Sequence, residues 1–271
     1  MSRRSTSLSD LARRGFSDLS HAAALIDELA ELTGLTVDTL LDGAAGVADP
    51  DRALAGFIRI ARRDMVPVRT ILAAPVAAAT AWRVLGISSG LADFYFRHPR
   101  ELTDLQIARD ALPTAAELRA ELLDSVGDRD GFASDGSEAA WIALRVRYRR
   151  MIARIAAFDA AAADPVVVVD AVAAALADAA AAALEASLSV ARAKLTGIGG
   201  PAMFTTAEMQ ATRLAIIGMG KTGARELNYV SDVDVIFVSG TADDELVSEA
   251  RAIDIATRLA VQLMRGISSV E

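Results

Sequence analysis

Asp232 and Asp234 stand two residues apart at the head of an apolar run, in the segment Leu214-Ala-Ile-Ile-Gly-Met-Gly-Lys-Thr-Gly-Ala-Arg-Glu-Leu-Asn-Tyr-Val-Ser-Asp-Val-Asp-Val-Ile-Phe-Val238. Side chains on a strand alternate between faces, so a strand over residues 233–238 sends both carboxylates to one side at its mouth. Carboxylates placed that way can share divalent cations, and two Mg2+ ions so held stabilise the attacking and leaving oxygens of an in-line displacement. The turn Gly218-Met-Gly-Lys-Thr-Gly223 precedes them. Glycine carries no Cβ, so the backbone N–H groups of such a turn can approach phosphate oxygens. Gly218, Gly220, Lys221 and Gly223 are therefore candidate phosphate- or nucleotide-binding residues, and Asp232 and Asp234 are candidate catalytic residues and metal ligands.

The same glycines satisfy the G-x-G-x-x-G fingerprint of dinucleotide sites. That fold requires a full crossover helix and an acid near the end of the second strand to hold a ribose. Here only residues 221–232 separate the glycines from the second run, and Val238-Ser-Gly240 ends it without an acid. The Walker A spacing is absent as well. An isolated Asp-x-Asp reads as an exposed strand edge or turn; coupled to this turn at this distance, it favours metal-dependent nucleotidyl transfer.

The elements that must position these residues occupy a chain of 271 residues, long enough for one large or two ordinary domains. Apolar residues make up 53% of it but aromatics only 5%, and the abundance of alanine favours closely packed helices. The net charge of −8 excludes a basic nucleic-acid coat, and no DNA partner is expected. With no cysteine there are no disulfides, thiolate metal sites or cysteine nucleophiles, and the two histidines, His21 and His98, are too few for a histidine-rich zinc site. The basic start Met1-Ser-Arg-Arg-Ser is not followed by the apolar core of a signal peptide. The most apolar window, residues 166–190, is interrupted by Asp170, Asp178 and Glu185. Each charge in a bilayer core costs ~2.5 to 3.5 kcal/mol, so a cytoplasmic chain without a membrane partner is expected.

The periodicity predicts a mostly α protein: a helical domain over residues 1–200, then the first part of an α+β domain over 201–271. Helical spacing runs over 19–42 and 51–61, the latter opened by Asp49-Pro50. Pro75 is expected to kink or restart the helix within 68–85, and His98-Pro99 to end the one after it. The glycine- and aspartate-rich residues 125–136 read as a flexible connection. A strong helix follows over 138–163 with five arginines, of which Arg147, Arg150 and Arg154 share a face; this is either a solvated stripe or a phosphate-facing one. A long alanine-rich helix over 169–194 closes at Gly197-Ile-Gly-Gly-Pro201. Beyond it the expectations are a buried strand over 213–217, a short helix over 221–229, a strand over 233–238, and a helix over 242–265. Leu246, Ile253, Ala256, Leu259, Ala260 and Leu263 should point inward from the last of these.

Gly218-Met-Gly-Lys-x-Gly-x-x-Glu-Leu-Asn-Tyr-x-Ser-Asp-x-Asp-x-Ile-Phe237 closely resembles the signature of the bifunctional glutamine synthetase adenylyltransferase/adenylyl-removing enzymes, which have two polymerase-β-like nucleotidyltransferase domains. Phe94-x-x-x-His98-Pro99 and the arginine- and alanine-rich helices resemble the helical region of that family. The resemblance implies that one head removes AMP from a tyrosine of glutamine synthetase by phosphorolysis, giving ADP, while the other attaches AMP from ATP. The Gly-Met-Gly and Glu-Leu-Asn-Tyr wording after a helical region is more similar to the removing head. By resemblance, Asp232 and Asp234 are ligands of Mg2+, with Mn2+ as a substitute, and Gly223 and Ser231 frame the phosphate and metal site. Glu226 is expected to tie the short helix to its surroundings. Implied partners are glutamine synthetase, phosphate, ADP or ATP, and a PII-type nitrogen regulatory protein. Ala224 departs from the Gly-Gly or Gly-Ser pair common in the family. The family's third carboxylate lies on a later strand that these 271 residues do not reach, so the chain is expected to be an N-terminal fragment inactive alone.

Two other classes stay open on the sequence: a non-enzymatic docking module built on a degenerate nucleotidyltransferase fold, and a nucleotidyltransferase with another acceptor. The intact Asp-x-Asp pair disfavours the first. The acidic charge and the long helical region disfavour tRNA or a small molecule as acceptor.

Overall fold

The computed structural model describes residues 7–107 and 111–268; the basic stretch 1–5 lies outside them. The chain is mostly α, with one small two-stranded sheet among the described residues. It forms two compact units, Met1–Leu112 with Ala153–Val168, and Pro113–Ile152 with Val169–Glu271. Two long helices each contribute residues to both units.

The first unit holds α1 (Leu8–Arg13), α2 (Leu19–Thr33), α3 (Val37–Asp42), α4 (Pro50–Arg63), α5 (Met65–Leu72), α6 (Pro75–Ile87), α7 (Ser89–Arg97) and a 3-10 helix over Pro99–Gln106. The proline signals act as expected. Pro50 opens α4 behind an N-cap Asp49, whose carboxylate accepts from Arg52 N–H. Pro75 restarts the chain as α6, bent 118° from α5. The single helix expected over 19–42 is two, because Gly34 ends α2 in left-handed backbone and Thr36 caps α3. Trp82 is fully buried among Phe57, 5.0 Å away edge-on, and Phe16.

The second unit takes α8 (Ala115–Ser125), most of α9 (Glu138–Ala161) and of α10 (Pro165–Leu195), then α11 (Thr206–Ala211), β1 (Thr212–Gly218), α12 (Gly220–Ala224), β2 (Val235–Thr241) and α13 (Glu249–Ser268). Thr114 and Glu117 form a capping box on α8. The stretch 125–136, expected to be flexible, is ordered instead. Ala133 N–H donates to Ser189 O, Gly136 N–H to Ile198 O, and Ser189 Oγ bonds Asp128. Gly136 lies so close to α10 that a Cβ there would sit 2.5 Å from the Lys194 backbone. Its glycines and aspartates thus serve close contact with α10 rather than mobility.

α10 alone among the described helices has the length and apolarity of a membrane span. Asp178 and Glu185 within it hold ion pairs to Arg225 and Arg119, and its C-terminal half is largely buried in protein. The core of this unit joins Leu188, Ala191 and Leu195 of α10 to Ile255, Leu259 and Leu263 of α13. Each leucine or isoleucine among them contributes about 1.5–3 kcal/mol on burial. Of the residues expected inward on the last helix, Ala256, Leu259, Ala260 and Leu263 are buried, whereas Leu246 and Ile253 are exposed. That helix begins only at Glu249, which leaves Leu246 in a loop; Ala252 and Ile255 face the core on its inner side.

Strands β1 and β2 pair antiparallel from Thr212↔Thr241 to Gly218↔Val235. Leu214, Ile216 and Phe237 pack on the core, while Ile217, Ile236 and Val238 on the other face are each nearly half exposed. The apolar run of β1, expected to be buried on both faces, is therefore covered on one.

Candidate functional site

The antiparallel register sets the end of β1 beside the start of β2, since Gly218 pairs with Val235. The glycine turn and the two aspartates meet for that reason. Strand β2 begins at Val235 rather than Val233, so Asp232 and Asp234 lie on its approach. Pairing stops there because β1 stops: past Gly218 the chain turns into α12, leaving residues before Val235 without a ladder partner. One backbone bond extends the register, Met219 N–H donating to Asp234 O at 2.8 Å.

Gly220, at φ +52, faces Asp234 directly; a Cβ built there would lie 3.3 Å from Asp234 Oδ2. Gly223 is held still tighter, with a Cβ only 2.4 Å from the Gly218 carbonyl oxygen. The two glycines have different roles: Gly220 admits the carboxylate, and Gly223 lets α12 fold back on the end of β1. Lys221 Nζ donates to Ser231 Oγ at 3.2 Å, spanning the turn and the aspartate approach. Gly220, Lys221, Ser231 and Asp234 are thus brought together. Gly218 and Gly223 shape the turn beneath them, and Asp232 is exposed with no hydrogen bond or ion pair among the described residues. Beneath the turn, Thr222 Oγ1 is buried without a hydrogen-bond partner.

The helix expected over 221–229 is only α12, which ends at Arg225 in left-handed backbone at φ +59. For a residue with a Cβ this conformation costs roughly 1–2 kcal/mol. Arg225 Nη2 donates to Asp178 Oδ2 on α10 at 2.6 Å. The tie expected of Glu226 is made by Arg225 instead, since the Glu226 side chain is exposed and unpaired among the described residues. No sequence signal pointed to Asp178, 47 positions away.

The arginine face of α9 is structural at two positions. Arg154 makes a fork to Asp104 at 2.7 and 3.0 Å with both side chains nearly buried, and Arg147 pairs with Glu121 at 3.1 Å. Both guanidiniums are taken up by carboxylates of the protein itself.

No group of three or more His, Asp and Glu side chains among the described residues is placed to hold a metal ion. Two carboxylates offer hard oxygen donors of the kind Mg2+ and Mn2+ accept, and Mg2+ is commonly held by one or two carboxylates with water and substrate phosphate completing the shell. The donor set fits such an ion.

At the joined ends of β1 and β2 the glycine turn thus meets a carboxylate, a lysine and a serine. The family model for glutamate-ammonia ligase adenylyltransferase matches residues 78–270. Relatives named bifunctional glutamine synthetase adenylyltransferase/adenylyl-removing enzyme include that of Leifsonia xyli, 54% identical across 98% of this chain and 26% of its own length. Those of Streptomyces avermitilis and Cutibacterium acnes are 38% and 35% identical across 97% and 99% of this chain, and 24% and 27% of their own lengths. The chain belongs to the glutamate-ammonia ligase adenylyltransferase family. It spans about a quarter of the length of the curated relatives it matches.

Proposed function

We propose that the chain supplies the opening part of a centre that removes AMP from a tyrosine of glutamine synthetase. In this reading residues 1–200 are the helical domain and 201–271 begin the nucleotidyltransferase domain. A phosphate oxygen attacks the phosphorus of tyrosine-bound AMP and forms the new P–O bond of ADP. The bond from phosphorus to the tyrosine oxygen breaks, and the tyrosine takes up a proton. Asp232 and Asp234 would hold Mg2+, or Mn2+ in its place, and the ion would supply positive charge to the phosphate oxygens. Gly218, Gly220 and Gly223 keep the turn open to phosphate oxygens, Lys221 adds a cation beside them, and Ser231 frames the site with it.

The observation that carries this reading is the close approach of Asp234 Oδ2 to Gly220, which joins the carboxylate to the phosphate-type turn. The removing half is favoured over the attaching one by the Gly218-Met-Gly and Glu226-Leu-Asn-Tyr wording after a helical region. A cytoplasmic setting and a PII-type regulatory partner belong to the same proposal.

The test is a chimera in which this chain replaces the matching part of the Leifsonia xyli relative, supplied with adenylylated glutamine synthetase, phosphate and Mg2+. ADP release that disappears on Asp232→Ala is expected. ADP release unchanged by that substitution refutes the assignment. These 271 residues by themselves are expected to release no ADP above their own Asp232→Ala control.

A further inference from the structure

Arg225 occupies a position that favours glycine, because a Cβ in left-handed backbone crowds the next carbonyl. The two bonds closing α12 there, Glu226 N–H to Lys221 O at 2.8 Å and Arg225 N–H to Thr222 O at 3.3 Å, are the pair that defines a Schellman helix end. That geometry asks for no side chain. The Arg225 side chain instead reaches out of the turn to Asp178 on α10, whose carboxylate is the fixed end: its side chain is 18% exposed, against 59% for the arginine.

We propose that Asp178 and Arg225 are positioning residues for the candidate site, their ion pair setting where the glycine turn stands on α10 and, through the turn, where Asp234 stands. The proposal rests on the nucleotidyltransferase reading above. The path is short. Arg225 is covalently the end of α12; Lys221, whose carbonyl closes the helix, carries the ammonium that bonds Ser231; and Met219, just before α12, donates to Asp234 O. A slip of α12 along α10 disturbs both of those bonds and the Gly220 approach together. Alanine at 225 keeps a Cβ in the same left-handed backbone and removes only the tether, so the tether's role separates from that of ending the helix.

The wild-type chain, Asp178→Ala, Arg225→Ala and the double variant are compared by backbone hydrogen exchange over residues 219–226 and by Mn2+ titration. In each single variant exchange at Gly223 and Glu226 rises, and Mn2+ affinity falls, by roughly two- to fivefold, the range of a part-exposed ion pair. The double variant goes no further than the singles, because both remove one interaction. If Arg225→Ala instead exchanges as slowly as wild type and binds Mn2+ equally well, the arginine is a helix end only and the proposal falls. Failure of the wild-type chain to bind Mn2+ overturns the metal assignment of Asp232 and Asp234. The exchange rates then decide the tether by themselves.

Discussion

Gly223→Ala places a methyl group 2.4 Å from the Gly218 carbonyl oxygen, where real contacts essentially never fall under 3.0 Å. The neighbour is backbone, so no rotamer relieves the clash. α12 must move away from the end of β1 by at least 0.6 Å, the difference between those distances. Overpacking of this kind costs about 1–3 kcal/mol, and a rigid neighbour puts the cost near the upper end. Alanine in place of glycine in a helix returns up to about 1 kcal/mol, leaving a net loss of about 2 kcal/mol. If the second unit unfolds as a whole, its melting temperature falls by roughly 4–8 °C, at about 2–4 °C per kcal/mol for a unit of this size. The displaced turn also carries Gly220 away from Asp234, so Mn2+ affinity falls with stability. The control is Gly240→Ala on β2, where a Cβ meets nothing within 4 Å. Calorimetry and Mn2+ titration on both variants check the argument. A Gly223→Ala chain that melts and binds as wild type refutes the packing of α12 against β1.

Asp234→Asn should abolish Mn2+ binding measured by titration while leaving the melting temperature within about 1 °C, since the carboxylate lies on the surface. Arg154→Ala leaves the nearly buried Asp104 without its fork, and the loss should reach about 3–5 kcal/mol in urea unfolding. Arg154→Met with Asp104→Leu should recover most of it. The Glu208 carboxyl is lowered from 4.5 to about 2, first by the Thr205 backbone N–H, then by the Arg251 guanidinium and the Thr205 hydroxyl. A depressed carboxyl stabilises the fold above its unfolded value, and that stabilisation is lost as pH falls from about 4.5 towards 2. Urea midpoints at pH 6 and pH 3 should differ less in Glu208→Gln than in wild type.

Much of the helical architecture was legible in single residues. Asp49-Pro50, Pro75 and His98-Pro99 act within a turn of themselves, through fixed φ, a missing N–H or a cap, so their effects need no distant partner. The candidate site was legible for a related reason. Its glycines and aspartates lie within seventeen residues of one another, from Gly218 to Asp234, and two antiparallel strands joined over that distance bring them side by side.

What the sequence left open depended on contacts made from afar. Residues 125–136 carry the composition of a loose connection, yet α10 supplies the partners that order them. The arginines of α9 have helical spacing suited to a charged face, and only the fold shows Asp104 and Glu121 opposite Arg154 and Arg147. The start of β2 was set by where β1 ran out of residues to pair. The sequence by itself determined that a glycine turn and an Asp-x-Asp pair belong to one local unit, because chain connectivity holds them together. The tertiary structure alone decided that Asp234 closes on Gly220 and that Arg225 anchors the turn to Asp178, since a hydrogen bond across 47 residues exists only once the chain has folded.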